Sequence, residues 1–323
     1  MGQYLKISPK IEELVIDNPK TNGAVNWINI NSAGKTEIEY LLKRQHFNLH
    51  HLKQSLSRSI AQRAIIEKEK DYIFIVLHFP IIKNGLIMPS EIDFFMGHGY
   101  LVTVHNGDLP PLNNFFNLCR KSENSTLAYE LESSSILLYE ILEQLMHYCY
   151  EILDEHSKRI ATVQDIVFKV DSNQRETVQE LLTLRNNIIK IRRILQNHKN
   201  ILQTLTTIKS SLVPATELKK YYSTLVEHSK RIWENLDNQK EMIEVLHDTN
   251  ESLLNDQINQ IMKTLTIFSV IILPLNLIAA IFGMNTIIGM PFINNRYGFW
   301  CVIIIMLLPT AIMFLYFKRK HWL

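Results

Sequence analysis

The sequence predicts an α+β chain in three parts: a small α/β domain over residues 1–125, a helical region over 126–262, and two transmembrane helices over 263–323 joined by a loop at 286–296. Three observations carry this. Runs rich in β-branched and aromatic residues cluster before Gly107. No glycine lies between Gly107 and Gly283, which favours long helices. The chain ends in two uncharged apolar segments, Leu265–Phe282 and Tyr297–Phe317.

In the first part, Ala24–Ile30, Tyr72–Phe79, Glu91–Met96 and Tyr100–His105 read as strands, the last two joined as a hairpin through Gly97-His98-Gly99. Glu37–Phe47 and Leu49–Ala64 read as short helices between the first two strands. In the second part, Leu127–Phe168 and Ser172–Ile208 carry apolar residues at helical spacing, with a turn from Thr206 to Pro214. A third helix begins after Pro214 and meets no strong breaker before Pro274. Continued to Phe282, it is roughly 100 Å long at 1.5 Å per residue.

Each terminal segment approaches or exceeds the ~20 apolar residues that a spanning helix needs. Tyr297, Trp300, Tyr316 and Trp322 sit at span ends, where interfacial aromatics belong. Lys263 precedes the first span, Lys318-Arg319-Lys320 follows the second, and the loop carries one cation, Arg296. Positive-inside reasoning puts both termini in the cytoplasm of a cell-membrane protein, with about 260 residues as a cytoplasmic body. The overall composition, 46% hydrophobic with a net charge of +2, conceals this segregation. Cys119, Cys149 and Cys301 are too scattered for a disulfide framework.

The long helix carries a stripe. Steps of seven from Asp248 give Asn255, Met262, Ser269, Asn276 and Gly283; the interleaved set is Ser252, Asn259, Thr266, Leu273 and Ala280. Most of these are polar or small, while the flanks are isoleucine, leucine and phenylalanine. Polar atoms on a spanning helix must face protein or water. Two readings follow. The stripe glues together the two spans of one chain, or it lines a water-filled path enclosed by several copies. Its continuation below the span through Asn259, Asn255 and Asp248 favours the second, as does its end at Gly283-Met284-Asn285.

That tripeptide has a mechanism of its own. Glycine lets the helix end and exposes a carbonyl, and asparagine adds a neutral amide oxygen. A ring of such oxygens can hydrogen-bond the water shell of a cation without stripping it. Mg²⁺, which dehydrates reluctantly, suits such a ring.

With Met262–Thr266, Leu273-Pro274-Leu275, Ile281–Asn285, Met290-Pro291 and Tyr316–Leu323 in place, the chain resembles the CorA family of divalent-cation channels. The resemblance implies a funnel-shaped homopentamer in the lipid bilayer. It implies an outer selectivity site at Gly283, Met284 and Asn285, with Asn285, Gly283 and Asn276 meeting the ion through its hydration shell. Asn276, Asn259 and Asp248 become polar rings, alongside Ser269, Thr266 and Asn255 of the stripe. Met262, Leu265 and Leu273 become a hydrophobic constriction that gates by dewetting. Mg²⁺ is then the transported ion and a regulatory ligand, with Co²⁺ and Ni²⁺ of similar hydrated size also carried. A Zn²⁺ transporter of the ZntB type is the alternative, and a non-conducting membrane-anchored scaffold or sensor a remoter one.

Three departures from the family pattern stand out. Phe282 replaces the usual tyrosine. The outer loop, Thr286–Tyr297, has no carboxylate. Where relatives carry an ion-sensing acid, the chain has Thr224, with Glu227 one turn on.

Other clusters read as solvated faces: His46, His50 and His51; His156 with Asp154 and Glu155; and the basic Arg185, Lys190, Arg192 and Arg193. No arrangement suggests catalysis, no GxxxxGK[ST] phosphate loop occurs, and no nucleic-acid partner is expected.

Overall fold

A computed structural model describes residues 3–18, 23–56, 64–121, 131, 133–169, 174–208, 217–285, 290–292, 296–320 and 322. Seven strands form one sheet: β1 (Gln3–Lys6), β2 (Ile11–Asn18), β3 (Gly23–Asn31), β4 (Ile65–Lys68), β5 (Tyr72–Lys83), β6 (Leu86–Gly97) and β7 (Tyr100–His105). Their order is β1-β2-β3-β7-β6-β5-β4. The β3–β7 pair is parallel and the other pairs are antiparallel.

The helices are α1 (Lys35–Gln45), α2 (Leu49–Gln54), α3 (Pro110–Lys121), α4 (Ser134–Val167), α5 (Gln174–Leu195), α6 (His198–Thr207), α7 (Glu217–Phe282) and α8 (Gly298–Arg319). The chain divides into two compact units, residues 1–246 and 247–323.

Alternation along the strands builds the first unit. On β5, Phe74 and Val76 face a core shared with Ile38 and Leu41 of α1 and Leu52 of α2. Ile73, Ile75 and Leu77 face the opposite core, shared with α3 to α7. Both faces of the sheet are therefore apolar and covered, which is why β5 is buried over ten successive residues from Tyr72 to Ile81. Trp27 is fully buried on the helix-rich side, its Nε1 donating to Thr103 Oγ1 at 3.0 Å.

The four expected strands are present, and so is the Gly97–Tyr100 hairpin. Gly99 takes φ +72°, the left-handed backbone that its turn requires. A longer hairpin was not anticipated. β5 and β6 pair from Tyr72↔Gly97 to Lys83↔Leu86, turning at Asn84 (φ 53°) and Gly85 (φ 74°).

The helical expectations need correction at several points. The stretch 172–208 is two helices, α5 and α6, broken near Asn197. α2 ends at Gln54, far short of Ala64. The expected helix start at Leu127 and most of the turn from Thr206 to Pro214 lie outside the described residues.

His51 and His156 are buried, not solvated. His51 bridges the Tyr72 hydroxyl (2.8 Å) and Glu67 (2.7 Å). His156 joins three helices, meeting Gln239 Oε1 and the Leu184 carbonyl at 3.1 Å each. A buried imidazole is tolerated there because its N–H has an oxygen to donate to. Arg192 leaves its expected solvated patch in part, pairing with Asp237 and lying over the Trp233 ring.

α7 continues through Pro274 to Phe282 as expected, a single helix of 66 residues.

Candidate functional site

The second unit holds the upper part of α7 and all of α8. Both are long and apolar enough to cross a membrane, and almost none of either apolar stretch is buried within the chain. Between residues 261 and 282, α7 has reduced exposure only at Lys263, Ile267, Ile271, Pro274, Leu275, Ile278 and Phe282. At 3.6 residues per turn these fall on one face, the face covered within the unit. At the base of the hairpin Lys263 Nζ lies over the Trp322 ring, 5.9 Å from its centroid, and Trp322 stacks on Phe317.

The stripe lies elsewhere. Met262, Thr266, Ser269, Leu273, Asn276, Ala280 and Gly283 are all exposed, and they centre about 180° from the covered face. Glue between the two spans of one chain would require them on the covered side. Leu265, Asn259, Asn255 and Asp248 are exposed as well.

Among the described residues no hydrogen bond uses the Asn276 amide. Leaving such a group in hydrocarbon costs about 2–7 kcal/mol, enough to turn this face toward water or another copy. The hydroxyls differ. Thr266 Oγ1 donates to the Met262 carbonyl (2.7 Å) and Ser269 Oγ to the Leu265 carbonyl (2.9 Å). Their protons are spent inside the helix, so they offer only lone pairs outward. Lone pairs are what the hydrogens of a cation's water shell need.

At the end of α7, Gly283 N donates to the Ala279 carbonyl at 2.8 Å, and Met284 N to the Ile281 carbonyl at 3.3 Å. Gly283 is not among the glycines with left-handed backbone. A Cβ at this position would lie 3.1 Å from the Ala279 carbonyl oxygen, a tight contact that glycine avoids. Met284 and Asn285 are exposed. Most of the loop that follows, 286–289 and 293–295, lies outside the described residues.

Glu227 and Thr224 belong to the first unit. Glu227 pairs with Arg231 at 3.5 Å, and Thr224 Oγ1 donates to the Lys220 carbonyl. Nearby is a cluster that the sequence reading missed, Glu143 and His147 of α4 with His228 of α7. Burial first, then the adjacent His147, holds the His228 imidazole below its usual pKa. The i, i+4 spacing of Glu143 and His147 was legible; their partner 81 positions beyond His147 was not.

Comparison with known proteins agrees with this architecture. The family described as CorA-like Mg2+ transporter protein matches residues 22–319. The cobalt/magnesium transport protein CorA of Thermotoga maritima is 25% identical over 301 residues, covering 92% of this chain and 83% of that protein. The complete structure of the CorA magnesium transporter from Methanocaldococcus jannaschii superposes with a TM-score of 0.82 at 22% identity, covering 93% and 92% of the two chains. The ZntB cytoplasmic domain from Vibrio parahaemolyticus shares the fold over 77% of this chain and all of its own, with a TM-score of 0.62 at 14% identity. With a family match that spans nearly its whole length, the chain belongs to the CorA-like Mg2+ transporter family, membrane transporters of divalent cations and not enzymes.

Proposed function

We propose that the protein is a passive channel for Mg²⁺, with Co²⁺ and Ni²⁺ as further cargo. Five copies surround an axis in the cell membrane, with both termini in the cytoplasm. α7 lines the path. The ion keeps its water shell and is selected at a ring of Gly283, Met284 and Asn285. It then passes Asn276, Ser269, Thr266, Asn259, Asn255 and Asp248, while Met262, Leu265 and Leu273 close the path by dewetting. The observation that carries this reading is the polar face of α7, exposed along its length, opposite the covered face, and ending at the tripeptide.

Two physical arguments support it. An amide carries no formal charge, so it holds a hydrated ion loosely enough to release it, where a ring of carboxylates would bind it harder. A membrane potential also suffices as the driving force: 100 mV contributes about 2.3 kcal/mol per charge, or about 4.6 kcal/mol for a divalent ion.

The test is Asn285→Ala in proteoliposomes loaded with a Mg²⁺ indicator. The channel reading expects influx to be lost while assembly is retained. Wild-type influx would sink the selectivity ring, and absence of influx in the unsubstituted protein would leave a scaffold or sensor. The second reading, Zn²⁺ transport, takes support from the likeness to the ZntB cytoplasmic domain. Uptake of Zn²⁺ with Mg²⁺ ignored, measured with and without a pH gradient, would establish it in place of the first.

A further inference from the structure

We infer that Glu143, His147 and His228 form a binding site for a transition-metal ion of the Zn²⁺ or Co²⁺ class. The site is separate from the polar face of α7 and lies wholly within the first unit. One ligand atom from each of the three side chains lies within 4.8 Å of the others. Ligand atoms around a tetrahedral Zn²⁺ at about 2.0–2.1 Å are separated by roughly 3.3 Å. Closing the remaining gap takes a rotamer adjustment, which the exposed His147 is free to make.

The helices that carry the ligands are already fixed to each other. Tyr222 of α7 donates to the Ser135 carbonyl of α4 at 2.8 Å, and Gln239 of α7 donates to the Leu153 carbonyl at 2.8 Å. These two bonds bracket the site along both helices, so metal binding need not bring distant elements together.

One neighbouring side chain orients His228. Tyr150 Oη donates to the His228 carbonyl at 3.2 Å and lies 3.2 Å from His228 Nδ1. With its proton given to the carbonyl, the Tyr150 oxygen accepts from Nδ1–H, the tautomer that leaves Nε2 with a lone pair for a metal. A ring nitrogen held by a hydrogen bond while the other ligates is a usual feature of metal sites. Arg231, a cation that acts on His228, is offset by Glu227 at 3.5 Å.

The ligand chemistry sets the ion. Two imidazoles and one carboxylate, with a fourth position open to water, suit Zn²⁺ and Co²⁺. Mg²⁺ prefers six oxygens and gives up its water reluctantly. The site therefore discriminates against the ion that the proposed path carries.

The experiment uses the full chain in detergent, titrated with Co²⁺ in the presence of millimolar Mg²⁺. The visible d–d absorption of tetrahedral Co²⁺ is the signal, since a hydrated octahedral ion in the path absorbs far more weakly. The expected result is strong absorption saturating at one Co²⁺ per chain, reversed by Zn²⁺ and indifferent to Mg²⁺. It disappears in His147→Gln and in Glu143→Gln, with helix content and elution volume unchanged. Because His147 is exposed, its substitution leaves the core intact even if changes at His228 disturb folding. Tyr150→Phe, which removes the oxygen that holds His228 Nδ1, weakens Co²⁺ binding by about tenfold or more. Full absorption in His147→Gln, no strong absorption in the unsubstituted chain, or displacement by Mg²⁺ as readily as by Zn²⁺ would each overturn the inference. Transport activity enters none of these measurements, so failure of the channel reading would not imitate failure of this one.

Discussion

Replacing Asn276 by leucine tests the polar face of α7 directly. The side chain is exposed, sits opposite the covered face, and makes no hydrogen bond among the described residues. Leucine is similar in size and has better helix propensity, so the chain should assemble as before. What disappears is one amide oxygen per chain from the proposed path. A hydrated ion engages one or two of these oxygens at a time, and each net hydrogen bond contributes about 0.5–1.5 kcal/mol. The barrier then rises by about 0.5–3 kcal/mol, which at 1.36 kcal/mol per decade slows Mg²⁺ flux by roughly 2- to 160-fold. Flux is read from an entrapped Mg²⁺ indicator in proteoliposomes under an imposed potential, normalised to incorporated protein. Leu277→Met, one residue along and 62% exposed in the chain, is the control and should conduct as wild type. Equal flux in Asn276→Leu and wild type would refute the assignment of this face to the path. So would equal losses in Asn276→Leu and the control.

Two further predictions follow from the geometry. Gly283→Ala should fold, since the backbone there is not left-handed, yet its Cβ meets the Ala279 carbonyl oxygen at 3.1 Å, a tight contact that moves the end of the helix by a few tenths of an ångström; the expected outcome is Mg²⁺ influx reduced by an order of magnitude at unchanged thermal stability, and wild-type influx would refute it. His198 donates Nε2–H to the His78 carbonyl at 2.8 Å and leaves Nδ1 buried with no partner among the described residues, and burial lowers its pKa from 6.5 to about 4. The folded state therefore resists protonation more than the unfolded state does, so the stability this group contributes is present above pH 6.5 and is lost as pH falls toward about 4. The loss is about 3 kcal/mol over that window. His198→Gln, which keeps a donor for the carbonyl and cannot titrate, should flatten the pH dependence of the unfolding midpoint between those limits; an unchanged slope would contradict the assignment.

Much of the fold was legible because its signals were local. The Gly97-His98-Gly99 hairpin, the continuation of α7 through Pro274, and the two terminal apolar helices each follow from residues adjacent in sequence. Asn84-Gly85 was equally local and was passed over, although Asn-Gly between β-rich runs is the strongest short hairpin signal. The histidines failed for another reason. His156 looks like part of a polar face beside Asp154 and Glu155, and only Gln239 and the Leu184 carbonyl, on other helices, make its burial tolerable. Polar residues are placed by their partners, and partners distant in sequence leave no trace in a local pattern. The same applies to His228, which completes a cluster begun by Glu143 and His147. At the stripe the sequence supplied the periodicity but left two faces open as its destination; the exposure of Asn276 against the covered Ile267 and Ile278 distinguishes them.

The inward-spent protons of Thr266 and Ser269 have a consequence for ions of the other sign. A chloride ion needs hydrogen-bond donors from the wall or from waters that the wall can orient for it. At these two levels of the proposed path the hydroxyls accept and do not donate, so neighbouring waters turn their hydrogens toward the helix and their oxygens toward the axis. That orientation solvates a cation and repels an anion. The helix thus acquires a preference for the sign of its cargo at positions with no ionisable side chain, a preference insensitive to pH and weakly screened by salt.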